Sequence, residues 1–178
     1  MTIESDFLII GSGIAGLSFA LKVAEHGSVA LVTKKAMMDS NTNLAQGGIA
    51  SVLSPLDSFD LHIRDTLAAG DGLCNPDVVE IVVTQGPERI RELIALGVSF
   101  NLKATPDTAS DAETFDLGQE GGHSRKRIVH AQDMTGREVE RALLEQVRAH
   151  PNIDLFEDHI AIDLITHSTR MKRGLVTT

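Results

Sequence analysis

The sequence predicts an α/β fold built on a parallel sheet, and three observations within residues 7–32 carry that expectation. Phe7–Ile10 is a short, continuously apolar run ending at a glycine, the pattern of a strand buried in a parallel sheet. Residues 13–26 place apolar side chains at helical spacing and stop at Gly27. Val29–Val32 is a second short apolar run. Strand, glycine turn, helix, glycine and strand in that order make a βαβ unit.

Residues 36–56 show no clear period and contain Asn41, Asn43 and the pair Gly47-Gly48. They read as a long ordered loop with a short helix near Thr42–Ile49. Asp57 or Ser58 can cap a helix that runs to about Ala69. Asn75 followed by Pro76 is a helix cap with proline at the first helical position, so a helix is expected to about Gln85. Gly86-Pro87 should break it and start another, ending at Gly97. Residues 101–126 are polar and irregular. Thr135 and Glu138 have the spacing of a capping box, and Val139, Leu143 and Val147 lie on one face of the helix behind it. After Pro151 come three strand-like runs, 153–156, 159–166 and 172–177. The last two suggest a hairpin turning near Ser168-Thr169-Arg170, the start of a β-meander.

Composition narrows the function. The 178 residues are enough for one domain with a real core. A formal net charge of -9 and 3% aromatics, with no Trp or Tyr, weigh against nucleic-acid binding, which uses positive charge and stacking rings. Cys74 is the single cysteine, so there is no internal disulfide and no paired-thiol metal motif. No apolar run approaches membrane-spanning length. The N-terminus does not read as a signal peptide, and the cytoplasm is the expected compartment.

Gly11-Ser12-Gly13-Ile14-Ala15-Gly16 matches GxGxxG directly after a strand and at the opening of a helix. The first glycine permits the tight turn, the second lets backbone approach a pyrophosphate, and the third lets the helix pack on the strand. Amides at the helix N-terminus face the anion. The acidic residue that usually follows about twenty residues on, for a ribose hydroxyl, is missing. Thr33-Lys34-Lys35 stands there instead, and a lysine pair would also suit the extra phosphate of NADP.

A second cluster, Ser40-Asn-Thr-Asn-Leu-Ala-Gln-Gly-Gly48, follows soon after. Paired glycines let backbone pass close to a flat ligand, and Asn and Gln offer uncharged hydrogen bonds; a polar surface loop is the plainer reading of the same composition. Together with the first motif, with DTLAAGDGLC at 65–74, EGGHSRKRIVHAQDMTGREVE at 120–140 and HPNIDLFE at 150–157, the chain resembles the flavoprotein family of succinate dehydrogenase, fumarate reductase and especially L-aspartate oxidase. That resemblance implies an incomplete Rossmann-like FAD-binding domain. Residues 1–178 would be its N-terminal part, with a capping domain and a C-terminal helical domain outside the chain.

By the same resemblance, FAD contacts fall on Ser12, Gly13, Ile14, Ala15 and Gly16 at the pyrophosphate, and on Lys34 at the end of the second strand. Asn41, Thr42, Asn43, Leu44, Ala45, Gln46, Gly47 and Gly48 line the flavin. The respiratory enzymes carry a flavin-linked histidine where this chain has Asn41, which implies non-covalent FAD. They also carry an apolar residue before the glycine pair where this chain has Glu120. A carboxylate there can pair with the ammonium that aspartate has and succinate lacks.

The implied activity is oxidation of L-aspartate to iminoaspartate with oxygen or fumarate as acceptor. That is the first step of NAD biosynthesis through quinolinate, with a possible link to quinolinate synthase. Family arginines and histidines that complete the site would lie in later sequence, so the 178 residues alone are expected to bind FAD weakly or not at all and not to catalyse. A respiratory-type flavoprotein subunit and a non-catalytic dinucleotide-binding remnant are the other readings.

Other chemistry is sparser. Glu120 and His123 have the spacing of a di-iron ligand pair, but a second such pair and a helix are missing, so no metal is expected. His26, His62, His150, His159 and His167 are scattered. Arg125-Lys126-Arg127 reads as a solvated loop, or as a surface steering a dianionic substrate.

Overall fold

The computed structural model describes residues 2–103 and 115–166. The βαβ unit is present: β1 (Phe7–Ile10), α1 (Ile14–Val23) and β2 (Val29–Val32), with β1 and β2 paired in parallel. Strand β2 also pairs in parallel with the last strand, Ile153–Phe156. The helix Thr135–Ala149 precedes that strand and packs beside α1. Everything between β2 and that helix is thus one insertion in a parallel crossover.

Within the insertion lie β3 (Ile49–Ala50), α2 (Phe59–Ala69), α3 (Pro76–Ala95), β4 (Leu117–Gly118) and β5 (Ile128–Val129). The helix 135–149 is α4 and the strand 153–156 is β6. Strands β3, β5 and β4 form a separate antiparallel sheet with β5 in the middle. The core joins Leu17 and Ala20 of α1, Leu31 of β2, Ile90 of α3 and Val139, Leu143 and Val147 of α4. The α4 face expected from its periodicity is therefore the buried one.

Strand β1 buries only one face. Ile9 is buried, whereas Leu8 and Ile10 are 56% and 59% exposed. A continuously apolar strand is explained by burial on both sides, and the described residues cover one.

Several expectations need correction. No helix forms near Thr42–Ile49: residues 41–44 are turns and Ile49 enters β3. Tertiary anchors described below shape that loop, and its weak period offers no apolar face to hold a helix. Residues 76–95 are one helix with Pro87 inside it, where a break was expected. An interior proline costs about 3 kcal/mol. Asn75, whose side chain caps two amides, and the buried row Val79, Val83, Pro87 and Ile90 hold the helix across it.

The capping box at Thr135 is not made. Thr135 is already the first helical residue, and its hydroxyl accepts from the Ala131 amide at 3.0 Å. Glu138 instead accepts from the Ser99 amide at 2.9 Å and pairs with Arg141 at 2.8 Å. Residues 159–166, the second strand-like run, form no strand. The chain turns at Asp158, where φ is 57°, and the His159 amide bonds back to the Thr33 carbonyl at 3.0 Å. Ile160, Ile162 and Leu164 remain 72%, 94% and 65% exposed, so the run has no surface among the described residues on which to bury its apolar side chains. The hairpin near Ser168 lies outside the described residues, as does the run 172–177.

Candidate functional site

The glycine turn has the geometry its sequence requires. Gly11 has φ 109° and donates its amide to the Val32 carbonyl at 2.8 Å. A Cβ on Gly16 would lie 2.0 Å from the Gly11 carbonyl oxygen, so that contact excludes any side chain. No side chain caps α1 at Gly13, and first-turn amides have no partner within a helix. Ile14 donates its amide to the Thr42 hydroxyl at 3.0 Å. This bond joins the first glycine motif to the second across the insertion.

The two motifs share an open cleft of about 600 Å³, lined among others by Gly11, Gly13, Lys34, Asn41, Thr42 and Leu44. It lies at the C-terminal ends of β1 and β2, where ligands of open α/β sheets bind. Ser12 is buried, and its hydroxyl donates toward the Met37 carbonyl at 2.8 Å with Thr33 Oγ1 at 3.2 Å. Its side chain therefore supports the loop. Ile14 and Ala15 are exposed, as are Asn41, Leu44, Ala45, Gln46 and Gly47; Gly16, Thr42, Asn43 and Gly48 are half-buried.

The paired glycines do different things. Nothing lies within 4 Å of a Cβ built on Gly47, whereas one on Gly48 would meet the Val129 carbonyl oxygen at 2.2 Å. Gly48 is needed for packing on β5, and Gly47 faces open space.

Residues not singled out in the sequence hold this loop. The Glu157 carboxylate accepts the Met37 amide at 2.6 Å. Gly136 donates its amide to the Ala45 carbonyl at 3.0 Å, and a Cβ there would lie 1.8 Å from the Thr42 carbonyl oxygen. Glu140, one turn further along α4, is fully buried. His159 and Ile160 line the cleft; their position just past a parallel strand was the available signal for them.

Glu120 lies outside the cleft, exposed on the turn between β4 and β5. The base of that hairpin is locked. The Arg127 amide bonds to the Gly118 carbonyl at 3.1 Å, and its carbonyl accepts from Ser51 at 2.9 Å. Its side chain is fully buried, donating to Asp57 at 2.8 and 2.9 Å and to Asp65 at 2.7 Å. Asp65 in turn accepts the Ser124 amide at 2.7 Å and hydroxyl at 2.8 Å. The basic run is thus split: Arg125 and Lys126 are exposed, while the solvated reading fails for Arg127, which has two acidic partners on or beside α2. His62 is buried edge-on to His123, with ring centroids 6.0 Å apart, and burial pushes its pKa down.

The Ser124 amide, followed by its hydroxyl and by Arg127, holds Asp65 down at about 2 from an ordinary 3.8. A depressed carboxylate stabilises the fold above its unfolded pKa and loses that contribution as pH falls through the folded one. Asp65→Asn is therefore expected to flatten the fall of Tm between pH 3.8 and about 2. Thermal melts across that range check it, and an unchanged slope would place the acid sensitivity elsewhere.

These features define an α/β dinucleotide-binding domain whose cleft is formed by a glycine turn and a second glycine-bearing loop. Residues 6–178 match the family described as FAD binding domain, and the chain belongs to that family. Its cofactor is FAD. Among its relatives, L-aspartate oxidase 2-b, chloroplastic, of Nicotiana tabacum is 58% identical over 90% of this chain and 24% of its own. The L-aspartate oxidase of Yersinia pestis is 44% identical over 98% of this chain and 32% of its own. The chain therefore spans about a quarter to a third of these relatives' length. In structure it is similar to an E. coli quinol fumarate reductase, with TM-score 0.81 and 31% identity over 92% of this chain and 27% of that one.

The residues present fit FAD. The glycine turn at the start of α1 would suit its pyrophosphate, and the open space beside Gly47 would allow close approach of a flat ring. No helix among the described residues is long and apolar enough to cross a membrane.

Proposed function

We propose that these residues are the N-terminal part of the FAD-binding domain of an L-aspartate oxidase, which converts L-aspartate to iminoaspartate with oxygen or fumarate as final acceptor. Identity to L-aspartate oxidases over nine-tenths of the chain is the observation that carries the reading. Residues 12–16 would hold the pyrophosphate of FAD, Lys34 would contact the cofactor from the end of β2, and residues 41–48 would line its ring. FAD supplies the two-electron acceptor when bound. Asn41 offers no imidazole for a covalent link, so the cofactor is held non-covalently. The product would enter quinolinate and NAD synthesis, with quinolinate synthase as a candidate partner and the cytoplasm as the setting; the plant relatives are described as chloroplastic.

Glu120 pairs with the substrate ammonium and orients it. The exposure of its turn and the locked base beneath it support this role. The likeness to fumarate reductase favours a second reading, a succinate- or fumarate-converting flavoprotein subunit.

Anaerobic addition of each substrate to the full-length protein separates them. L-aspartate is expected to bleach the flavin and succinate to leave it oxidised. Bleaching by succinate alone would establish the second reading. Glu120→Gln should cut the preference for aspartate over succinate by roughly tenfold or more, the scale of one lost charge-assisted contact. An unchanged preference refutes the assigned role.

A further inference from the structure

The turn that carries Glu120 lies along one face of α2. Gly122, with φ 87°, stands third in a turn that the His123 amide closes on the Glu120 carbonyl at 3.2 Å, a place that favours glycine. Three consecutive residues then meet α2. A Cβ on Gly122 would lie 3.8 Å from Ala69 Cβ. The His123 ring stands edge-on to His62, with centroids 6.0 Å apart and planes at 80°. Ser124 gives its amide and hydroxyl to Asp65. Positions 62, 65 and 69 share a face of a helix, so α2 offers the turn a single row.

The three contacts hold in different ways. Gly122 brings no side chain, and Ser124 is held by its backbone amide as well as its hydroxyl. His123 brings a ring whose Nδ1 is buried without a hydrogen-bond partner, and Nδ1 of His62 is in the same state. The His123 ring therefore works by shape and packing. Its carbonyl accepts from the Gln119 side chain at 2.6 Å, which ties together the residues on either side of the Glu120 tip. Glu120 itself is exposed, so this frame sets its direction.

We propose that His123 is a positioning residue for Glu120, its ring wedged against His62 so that the Glu120 carboxylate meets the substrate ammonium. This rests on the reading of Glu120 as the group that receives that ammonium. An edge-on ring pair contributes a factor of about two to ten beyond simple burial. The effect should be confined to ligands that carry the ammonium, because Glu120 is the group the ring holds.

The test uses the full-length holoenzyme with L-aspartate as substrate. Succinate, which has the same carbon chain and no ammonium, serves as inhibitor. H123A should raise KM for L-aspartate about two- to tenfold. The succinate inhibition constant and the flavin content should stay at wild-type values. H123F, which keeps a ring against His62, should restore most of the aspartate KM. In an E120Q background H123A should add nothing, since residues acting through one contact are not additive.

An unchanged KM in H123A, or equal weakening of both ligands, overturns the proposal. So does an H123F as poor as H123A, or full additivity of H123A with E120Q. If H123A does not fold, H123L, which fills the space without a flat ring, takes its place under the same criteria. An E120Q enzyme with wild-type constants for both ligands would instead overturn the reading of Glu120, and this proposal with it.

Discussion

Arg127→Met is expected to lower stability by about 3–5 kcal/mol, the cost of removing one partner from a buried ion pair. For a domain of this size that is a fall in Tm of roughly 10 °C. The magnitude follows from what remains. The Asp57 side chain is 1% exposed and that of Asp65 is 15% exposed, so both carboxylates lose their neutralising partner where water cannot replace it.

Arg127→Lys should recover only part of the loss, because a single ammonium cannot reproduce the fork that meets Asp57 through Nε and Nη2 while Nη1 meets Asp65. Replacing all three residues by apolar ones should recover more than either single change, since no charge is then stranded. Thermal melts of the four proteins decide this. A loss below about 1 kcal/mol for Arg127→Met, the scale of an exposed pair, would show that the network opens to solvent.

Gly136→Ala is expected to weaken FAD binding by roughly 10- to 100-fold, the equivalent of about 1–3 kcal/mol of overpacking transmitted to the cleft. The added methyl would stand 1.8 Å from the Thr42 carbonyl oxygen and 2.8 Å from Ala45 Cβ. Backbone cannot yield there as a flexible side-chain end could, so residues 42–45 must move. Alanine is at home in a helix and favours α4 itself, so the damage should fall on the loop. FAD titration alongside the helical circular dichroism signal tests both halves: full affinity with intact helix would show that the loop tolerates displacement.

Both experiments bear on how far sequence could be read. The GxGxxG turn was legible because its constraint is local: strand, φ and helix entry involve a few neighbouring residues. Glu120 and the 41–48 loop came from motif resemblance, and their placement in space did not follow from it. Arg127 looked like one cation in an exposed run, because nothing adjacent signals acids sixty-two and seventy residues earlier. Pro87 looked like a helix break because local propensity disfavours it, and the buried row on either side outweighs that preference. The run at 159–166 was strand-like in its apolar content, and a strand also needs a ladder.

By itself, the sequence determined the βαβ entry, the glycine turn and the buried face of α4. These rest on chain periodicity and on backbone geometry that only particular residues permit. Tertiary structure alone decided which residues support the cleft: Gly136 beneath the loop, Glu157 behind it, and Arg127 locking the hairpin of Glu120. Close approach and burial arise between segments far apart in the chain, where sequence spacing carries no information about distance.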